Sequence, residues 1–252
     1  MQPDLVMKKL LRALARKFGY EIRKAPFAGF GSAPIFDLAV QHLMLKCGPA
    51  VRFVQVGAND GLGDGDPLRR YVLKHEWQGI LVEPQPEVFT ALQRTYAGLE
   101  SRLIFENAAI SNQGGTISLY RGKDTFRDGA VALNSTVASL DRDVVARQLN
   151  MRPEDMEEVR VPTIGLDGLL EKHGWSSFEI LQIDTEGHDW QVLQTLSFTN
   201  ARPLLIQFEH GHLSPQDLGA MTAYLNAHEY LVYFGGHQSD SVGFQRDFLD
   251  AK

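Results

Sequence analysis

The sequence contains a single cysteine and has no apolar run long enough to cross a membrane. One cysteine excludes an internal disulfide, and Cys47 continues a helical pattern with Val40 and Met44, which predicts a buried core position. A membrane-spanning helix needs about 18 consecutive apolar residues, so we expect none here. The N-terminus also lacks the apolar block and cleavage site of a signal peptide, and we therefore expect the protein to remain in the cytoplasm.

Basic residues are the minority, with 25 Lys and Arg against 31 Asp and Glu, which gives a net charge of −6. Seven basic and two acidic residues lie within the first 24 positions, so this segment carries +5 and the remainder carries −11. Phosphate groups bind to basic surfaces, and such an acidic body argues against a nucleic-acid partner. A chain of 252 residues, 44% of them hydrophobic, has enough apolar material for one large globular domain.

Residues 1–34 are predicted to form an N-terminal helical extension and a linker. Within residues 5–18, apolar side chains recur at helical spacing with basic residues between them, at Leu10, Leu11, Leu14 and Phe18. Two interpretations remain open for this amphipathic helix. The favoured one is packing against the domain with a solvated basic face, and the other is peripheral contact with an anionic membrane surface.

From residue 35 onward, short apolar runs alternate with helical patterns. The runs occupy residues 51–56, 79–82, 103–105, 179–183, 204–208 and 230–234. Continuous apolar runs are typical of buried parallel strands, and their alternation with helices implies βαβ crossovers. The sequence therefore predicts an α/β domain over residues 35–252, with a doubly wound, mostly parallel sheet and helices on both faces. Its ligand is expected at the carboxyl ends of the strands, near the switch point of the sheet.

Local signals refine this pattern at three places. A helix is predicted from about residue 35 to residue 46. Asp66 is a candidate N-cap for the first crossover helix, with Pro67 at its first helical position. Residues 114–162 break the alternation because they are polar and rich in turns, with a predicted strand at 116–120 and a helix at 141–149. We expect this long excursion to be a substrate-covering insertion.

The glycine-rich stretch VRFVQVGANDGLGDGDP, residues 51–67, does not match a dinucleotide-binding fingerprint. With Gly57 as the first glycine, the second falls on Asn59 and the third on Leu62, and no Walker lysine follows. Three acidic side chains surround the loop, at Asp60, Asp64 and Asp66. They would repel a phosphate at the following helix, so the ligand is expected to carry positive charge.

S-adenosylmethionine has an ammonium and a sulfonium but no phosphate, and it fits such a loop. Gly57 would let the backbone approach the ligand, and Glu83 at the end of the second strand would accept hydrogen bonds from the ribose hydroxyls. Calcium is an alternative ligand for the aspartates, but the ligand order of an EF-hand is absent.

Several separated blocks resemble the FkbM family of S-adenosylmethionine-dependent methyltransferases: FVQVGANDGLGDG, ILVEPQPEVFTALQ, ENAAISNQGGTISLY, VPTIGLDGLLEKHG, EILQIDTEGHDWQVL and IQFEHG. The resemblance implies a Rossmann-like methyltransferase fold with a seven-stranded sheet. It also implies methyl transfer to a hydroxyl of a saccharide, glycolipid or secondary metabolite. The implied cofactor-binding residues are Gly57, Ala58, Asn59, Asp60, Gly61, Glu83, Pro84, Asn107, Ala108 and Asp184. An extension at residues 63–66 departs from the commoner family pattern.

The segment IDTEGHD, residues 183–189, carries the predicted catalytic chemistry. It follows an apolar strand, so alternation would direct Asp184 and Glu186 into the same crevice. His188 is the predicted general base, because neutral imidazole can remove a hydroxyl proton near physiological pH. Glu186 or Glu209 would orient it, and Asp184 would mark the cofactor side of the site. The alternative for His188 is a helix cap.

The predicted site contains no metal, but a divalent ion remains an alternative. It would be held within a set of oxygen and imidazole groups: Asp184, Glu186, His188, Glu209, His210 and His212. For the acceptor we predict contacts from Ser135, Ser139 and His210. Two other functions stay open, a nicotinamide oxidoreductase on a similar fold and a non-catalytic cofactor-binding module.

Overall fold

The computed structural model describes residues 33–62, 66–123, 126–127, 130–131, 137–235 and 240–248. The predicted amphipathic helix at residues 5–18 and the predicted acceptor residue Ser135 lie outside this described part. Within it, no helix combines the length and the apolar character needed to cross a bilayer.

Strands and helices alternate along the described chain. The strands are β1 (Arg52–Val56), β2 (Gln78–Val82), β3 (Leu103–Glu106), β4 (Ala109–Ile110), β5 (Thr116–Gly122), β6 (Phe126–Arg127), β7 (Ala130–Val131), β8 (Ala138–Ser139), β9 (Met156–Ile164), β10 (Ile180–Ile183), β11 (Leu205–Glu209), β12 (Tyr230–Phe234) and β13 (Asp240–Gln245). The α-helices are α1 (Ala33–Cys47), α2 (Arg69–Lys74), α3 (Pro86–Thr95), α4 (Arg142–Leu149), α5 (Leu166–Lys172), α6 (Asp189–Leu193) and α7 (Pro215–Ala227).

The central sheet has seven strands in the order β12-β13-β11-β10-β1-β2-β3. All of its pairings are parallel except those of β13, which runs antiparallel to both β11 and β12. The predicted Rossmann-like sheet of mostly parallel strands is therefore confirmed. It differs from an all-parallel sheet in one strand, β13, which makes it mixed. Its sixth and seventh strands form a hairpin that the apolar runs did not reveal, because β13 has the mixed sequence DSVGFQ.

Helices cover both faces of this sheet. On one face, α1, α2 and α3 pack against Phe53, Leu81 and Leu205. On the other face, α5, α6 and α7 pack against Val54, Ile80 and other strand residues whose side chains point to that face. Burial of alternate residues on both faces explains the continuous apolar runs in the sequence. The doubly wound arrangement is thus present as predicted.

Three local predictions were wrong. Cys47 is exposed, because it ends α1 beyond the buried Val40 and Leu43, and Gly48 then turns the chain with a φ of 87°. Helix α2 begins at Arg69, so Pro67 precedes it. The N-cap position is Leu68, so the predicted N-cap at Asp66 is also wrong. The Oδ1 of Asp66 still accepts hydrogen bonds from the backbone N–H groups of residues 68 and 69 at 2.8 and 3.1 Å, where the helix begins.

The segment 114–162 contains the predicted strand and helix, observed as β5 and α4. β4, β5, β8 and β9 form a second sheet in the order β4-β9-β5-β8. The side chain of Asp141 caps α4 by accepting a hydrogen bond from the N–H of Asp143 at 2.8 Å. Strand β8 and helix α4 lie beside the carboxyl ends of the central strands, where Ser139 Oγ donates to the backbone oxygen of Glu186 at 2.8 Å.

Gly79 in β2 provides a test of this packing. A Cβ at this position would lie 2.1 Å from Cζ of Phe53, whose side chain is fully buried. We expect Gly79→Ala to lower the free energy of unfolding by about 1–3 kcal/mol, because the ring cannot move without displacing the core. Urea unfolding followed by circular dichroism measures the change.

Gly219→Ala is the matched control. Gly219 lies in α7, is exposed, and has no heavy atom within 4 Å of the place that a Cβ would occupy. Alanine there should raise the free energy of unfolding by about 0.5–1 kcal/mol. Equal stability of the two variants would contradict the packing described for β2.

Candidate active site

A cavity of about 430 Å³ lies at the carboxyl ends of β1, β2 and β10. The chain leaves β1 toward β2 on one side of the sheet and returns to β10 on the other, so this is the switch point at which a ligand was expected. Residues 138–140, which belong to the segment 114–162, also line it. Nine of the ten predicted cofactor residues line the cavity: Gly57, Ala58, Asn59, Asp60, Gly61, Glu83, Pro84, Ala108 and Asp184.

The glycine loop is held between two neighbouring strands. Gly57 has a φ of 81°, and a Cβ there would lie 1.8 Å from the backbone oxygen of Asp184. The N–H groups of Gly57 and Ala58 both donate to the backbone oxygen of Val82 at 3.0 Å. Only glycine fits at position 57. The backbone of Asp184 imposes this requirement, whether or not a ligand is bound.

Glu83 lies at the floor of the cavity and is 4% exposed. Its Oε2 accepts a hydrogen bond from the N–H of Asn59 at 3.0 Å, and its Oε1 accepts one from the N–H of Gln85 at 2.9 Å. Burial raises the pKa of Glu83 to about 7, although these hydrogen bonds oppose the shift. The Gln85 side chain also hydrogen-bonds this carboxylate, which has about four acceptor positions, so one position remains for a ligand donor.

Asn107 braces the turn that carries Glu83. Its Nδ2 donates to the backbone oxygens of Glu83 and Pro84 at 2.8 and 3.1 Å. Asn107 is not among the residues that line the cavity, whereas its neighbour Ala108 is. The predicted contact of Asn107 with an adenine edge stays a prediction, and its structural contact is with the turn.

Asp184 and Glu186 both line the cavity, but so does Thr185 between them, so the predicted strand alternation does not explain their placement. The strand has already ended at Ile183, and the backbone then turns, with a φ of 54° at Glu186 and 95° at Gly187. Surrounding protein, together with the carboxylates of Glu186 and Asp189, raises the pKa of Asp184 well above its ordinary value. The Asp184 side chain is still exposed to the cavity, so a ligand there can reach it directly.

Asp189 holds this turn in place, a role that the sequence pattern did not suggest. It is fully buried at the start of α6. Its Oδ2 accepts a hydrogen bond from Thr185 Oγ1 at 2.8 Å, and its Oδ1 accepts one from the N–H of Glu209 at 2.9 Å. Burial raises the pKa of Asp189 to about 7. The only sequence signal was an acidic residue followed by the apolar positions of a short helix.

His188 occupies the N-cap position of α6, but its side chain makes no capping hydrogen bond. The residue lines the main cavity and also a second cavity of about 620 Å³. Burial lowers the pKa of His188 to about 4, so the imidazole is neutral at physiological pH. The second cavity has several polar or charged lining residues: Asp141, Arg147, Gln191, His212, Ser214 and Asp217.

Three groups of the proposed metal alternative lie close together beside the second cavity. His212 Nε2 is 3.5 Å from Glu186 Oε2 and 3.4 Å from Glu209 Oε1. Burial, with the negative charges of Asp184 and Glu186 among others, raises the pKa of Glu209 to about 9. Gln148 from α4 also contacts this group, and sequence reasoning missed it because 38 residues separate it from Glu186.

The predicted acceptor residues have different surroundings. Ser139 lines the main cavity. His210 lines neither of the two cavities described above, and its Nδ1 is hydrogen-bonded to Ser241 Oγ at 2.9 Å.

Several solved methyltransferase structures are similar to this chain at low sequence identity. A methyltransferase FkbM from Methylobacillus flagellatus KT is 14% identical, with a TM-score of 0.48, and the match covers 94% of this chain and 58% of that one. An O-methyltransferase from Bacillus cereus in complex with SAH is 9% identical, with a TM-score of 0.42 and coverages of 94% and 89%. The N-terminal domain of human METTL16 is 9% identical, with a TM-score of 0.41 and coverages of 97% and 82%.

This chain thus spans 58% of the length of the Methylobacillus protein. No curated protein matches it in sequence. The family described as Methyltransferase FkbM domain matches residues 55–232, which is more than half of the chain and includes the glycine loop, Glu83 and the turn before α6. The chain therefore belongs to the FkbM methyltransferase family, whose fold is that of S-adenosylmethionine-dependent methyltransferases.

Proposed function

We propose that the protein transfers a methyl group from S-adenosylmethionine to a hydroxyl oxygen of a saccharide, glycolipid or secondary metabolite. One observation carries the proposal. His188 lies between two cavities, one of which has Glu83 at its floor and the other of which has a polar lining. A cofactor in the first and an acceptor in the second would meet at this imidazole.

The residues of the main cavity fit the cofactor. Acidic groups at Asp60, Asp66 and Asp184 suit an ammonium and a sulfonium, and they would repel the pyrophosphate of a nicotinamide dinucleotide. Glu83 has free acceptor capacity for ribose hydroxyls. The apolar wall at residues 108–110 suits an adenine ring. Charge and family membership both disfavour the oxidoreductase alternative.

The second cavity suits a hydroxyl-rich acceptor. Its carboxylates accept hydrogen bonds from hydroxyl groups, and Arg147 and Gln191 can donate to the oxygens of the same molecule. A neutral imidazole is a suitable base for a hydroxyl proton, and this favours methylation of an oxygen over methylation of a nitrogen. The acidic side chains of the cavities do not favour a neutral nitrogen acceptor in the same way.

The chain's own residues would handle orientation and the proton. Bound S-adenosylmethionine supplies an electrophilic methyl group. His188 would hold the acceptor hydroxyl in line and accept its proton as the new oxygen–carbon bond forms. The low pKa of His188 keeps the imidazole unprotonated near neutral pH, so its lone pair would be available to the acceptor hydroxyl. The carboxylate of Asp217, which lines the second cavity and raises the pKa of His188 against the effect of burial, would stabilise the imidazolium that forms.

Glu83 gives the cofactor site a defined pH dependence. Its folded pKa of about 7 means that the group is largely protonated below that pH, and ribose hydroxyls bind best to the carboxylate. Binding must then release a proton at low pH. We expect the affinity for S-adenosylhomocysteine to be about tenfold weaker at about pH 6 than at about pH 8, and to level off above the pKa.

Isothermal titration calorimetry across this pH range measures the effect. Glu83→Gln should bind more weakly at pH 8 and should lose the pH dependence, because it has no titrating group. The assignment of Glu83 fails if wild type and variant show the same pH profile.

His188→Gln tests the catalytic role. We expect kcat to fall by about 10²- to 10⁴-fold, since the amide cannot accept the proton, while the affinity for S-adenosylhomocysteine changes less than twofold. Transfer of radiolabel from S-adenosylmethionine to a panel of saccharides and glycolipids provides the assay.

His173→Gln is the matched control, because His173 pairs with Glu106 beyond the edge strand β3 and lines neither cavity. Unchanged turnover in His188→Gln would refute its role as the base. Binding of S-adenosylhomocysteine without transfer to any of the acceptors would favour the non-catalytic module.

A further inference from the structure

The cluster beside the second cavity has the spacing of a metal site. Glu186, Glu209 and His212 each place one ligand atom within 4.8 Å of the others. The two distances from His212 Nε2, 3.5 and 3.4 Å, match the separation of ligand atoms around one small ion. Ligand atoms about 2.1 Å from a tetrahedrally coordinated ion are about 3.4 Å apart. An ion therefore fits between these side chains with little movement.

Two buried oxygens of residues in this cluster have no hydrogen-bond partner, namely Glu209 Oε2 and Gln148 Oε1. Buried polar atoms are nearly always satisfied, so each of these oxygens indicates a missing partner. Both are acceptors, and a cation or a hydrogen-bond donor, which includes water, would satisfy them.

Gln148 can supply a fourth ligand. Its Nε2 contacts Glu186 Oε2 and lies 2.7 Å from His212 Nε2, so the amide already points to the centre of the cluster. Rotation of the amide by about 180° exchanges its nitrogen and oxygen without moving the rest of the side chain. Once His212 Nε2 gives its lone pair to an ion, the amide nitrogen has no acceptor there, and the rotated oxygen becomes a ligand.

The charge of the surroundings also calls for a cation. The carboxyl groups of Asp184, Asp189 and Asp240 lie near enough to act electrostatically on Glu209. Among the described residues, no Lys or Arg forms an ion pair with Glu186 or Glu209. Several carboxylates brought together without a counter-charge are costly, and a divalent ion removes that cost.

We propose that Glu186, Glu209 and His212, completed by Gln148, bind a divalent first-row metal ion such as Mn²⁺ or Zn²⁺. The mixture of imidazole and oxygen ligands favours these ions over Mg²⁺ and Ca²⁺, which prefer oxygen alone. The ion would connect α4 of the insertion to the ends of β10 and β11. Because His212 also lines the second cavity, an acceptor oxygen there would complete the coordination.

Electron paramagnetic resonance tests the proposal, because free Mn²⁺ gives a signal that bound Mn²⁺ loses. The whole protein, treated with chelator and desalted, is titrated with Mn²⁺. We expect one ion per chain, displaced by Zn²⁺, with at least tenfold weaker binding in His212→Gln and in Glu209→Gln. Gln148→Leu should weaken binding as well, since it removes the fourth ligand while keeping the size of the side chain.

Glu106→Gln is the matched control and should bind Mn²⁺ like the wild type. Glu106 also pairs with a histidine, His173, but that pair lies at the far edge of the sheet. Thermal unfolding of each variant verifies that it folds. If His212→Gln does not fold, Glu209→Gln still provides the test. Absence of stoichiometric Mn²⁺ and Zn²⁺ binding in the wild type, or wild-type binding in both folded ligand variants, overturns the proposal.

Titration of the same samples with S-adenosylhomocysteine separates this inference from the proposed function. Neither Glu209 nor His212 lines the main cavity, so cofactor affinity should survive in their variants. Cofactor binding without metal binding would refute the metal site alone. Metal binding without cofactor binding would refute the proposed function alone.

Discussion

The contact between Gly57 and the backbone of Asp184 is the constraint on which the site depends. A side chain at position 57 would meet the Asp184 backbone oxygen at 1.8 Å, so the carboxyl ends of β1 and β10 can meet only because it is absent. The two turns that leave these strands are thereby brought together. The N–H of Asn59 in the first turn then holds the carboxylate of Glu83, which ends the next strand. This close approach therefore sets the position of Glu83 at the floor of the cavity.

Convergence of these turns has an electrostatic consequence. Glu83, Asp189 and Glu209 all have raised pKa values, chiefly because each is removed from water. Raised pKa values in a cleft are typical of functional sites, because a fold gains no stability from crowding carboxyl groups. In our proposals, two different cations relieve this crowding. The sulfonium would lie on one side of His188, and a divalent ion on the other.

The main features of the fold were predictable because burial on both faces of a sheet leaves continuous apolar runs. Strand β13 was not, since Ser241 and Gly243 interrupt its apolar pattern. The burial of Cys47 was predicted wrongly, because helical spacing continues past the point at which α1 leaves the core. In the site, Asp184, Glu186 and His188 are close in sequence and were identified together. Gln148 was not, because only tertiary packing of α4 brings it to Glu186.

A crystal structure of the protein with S-adenosylhomocysteine would test the central claim most directly. We predict that the ribose hydroxyls lie within hydrogen-bonding distance of Glu83. The sulfur should lie near Asp184 and be directed toward the second cavity, with His188 beside the path of the methyl group. A ligand bound elsewhere, or one whose sulfur faces away from His188, would contradict the account.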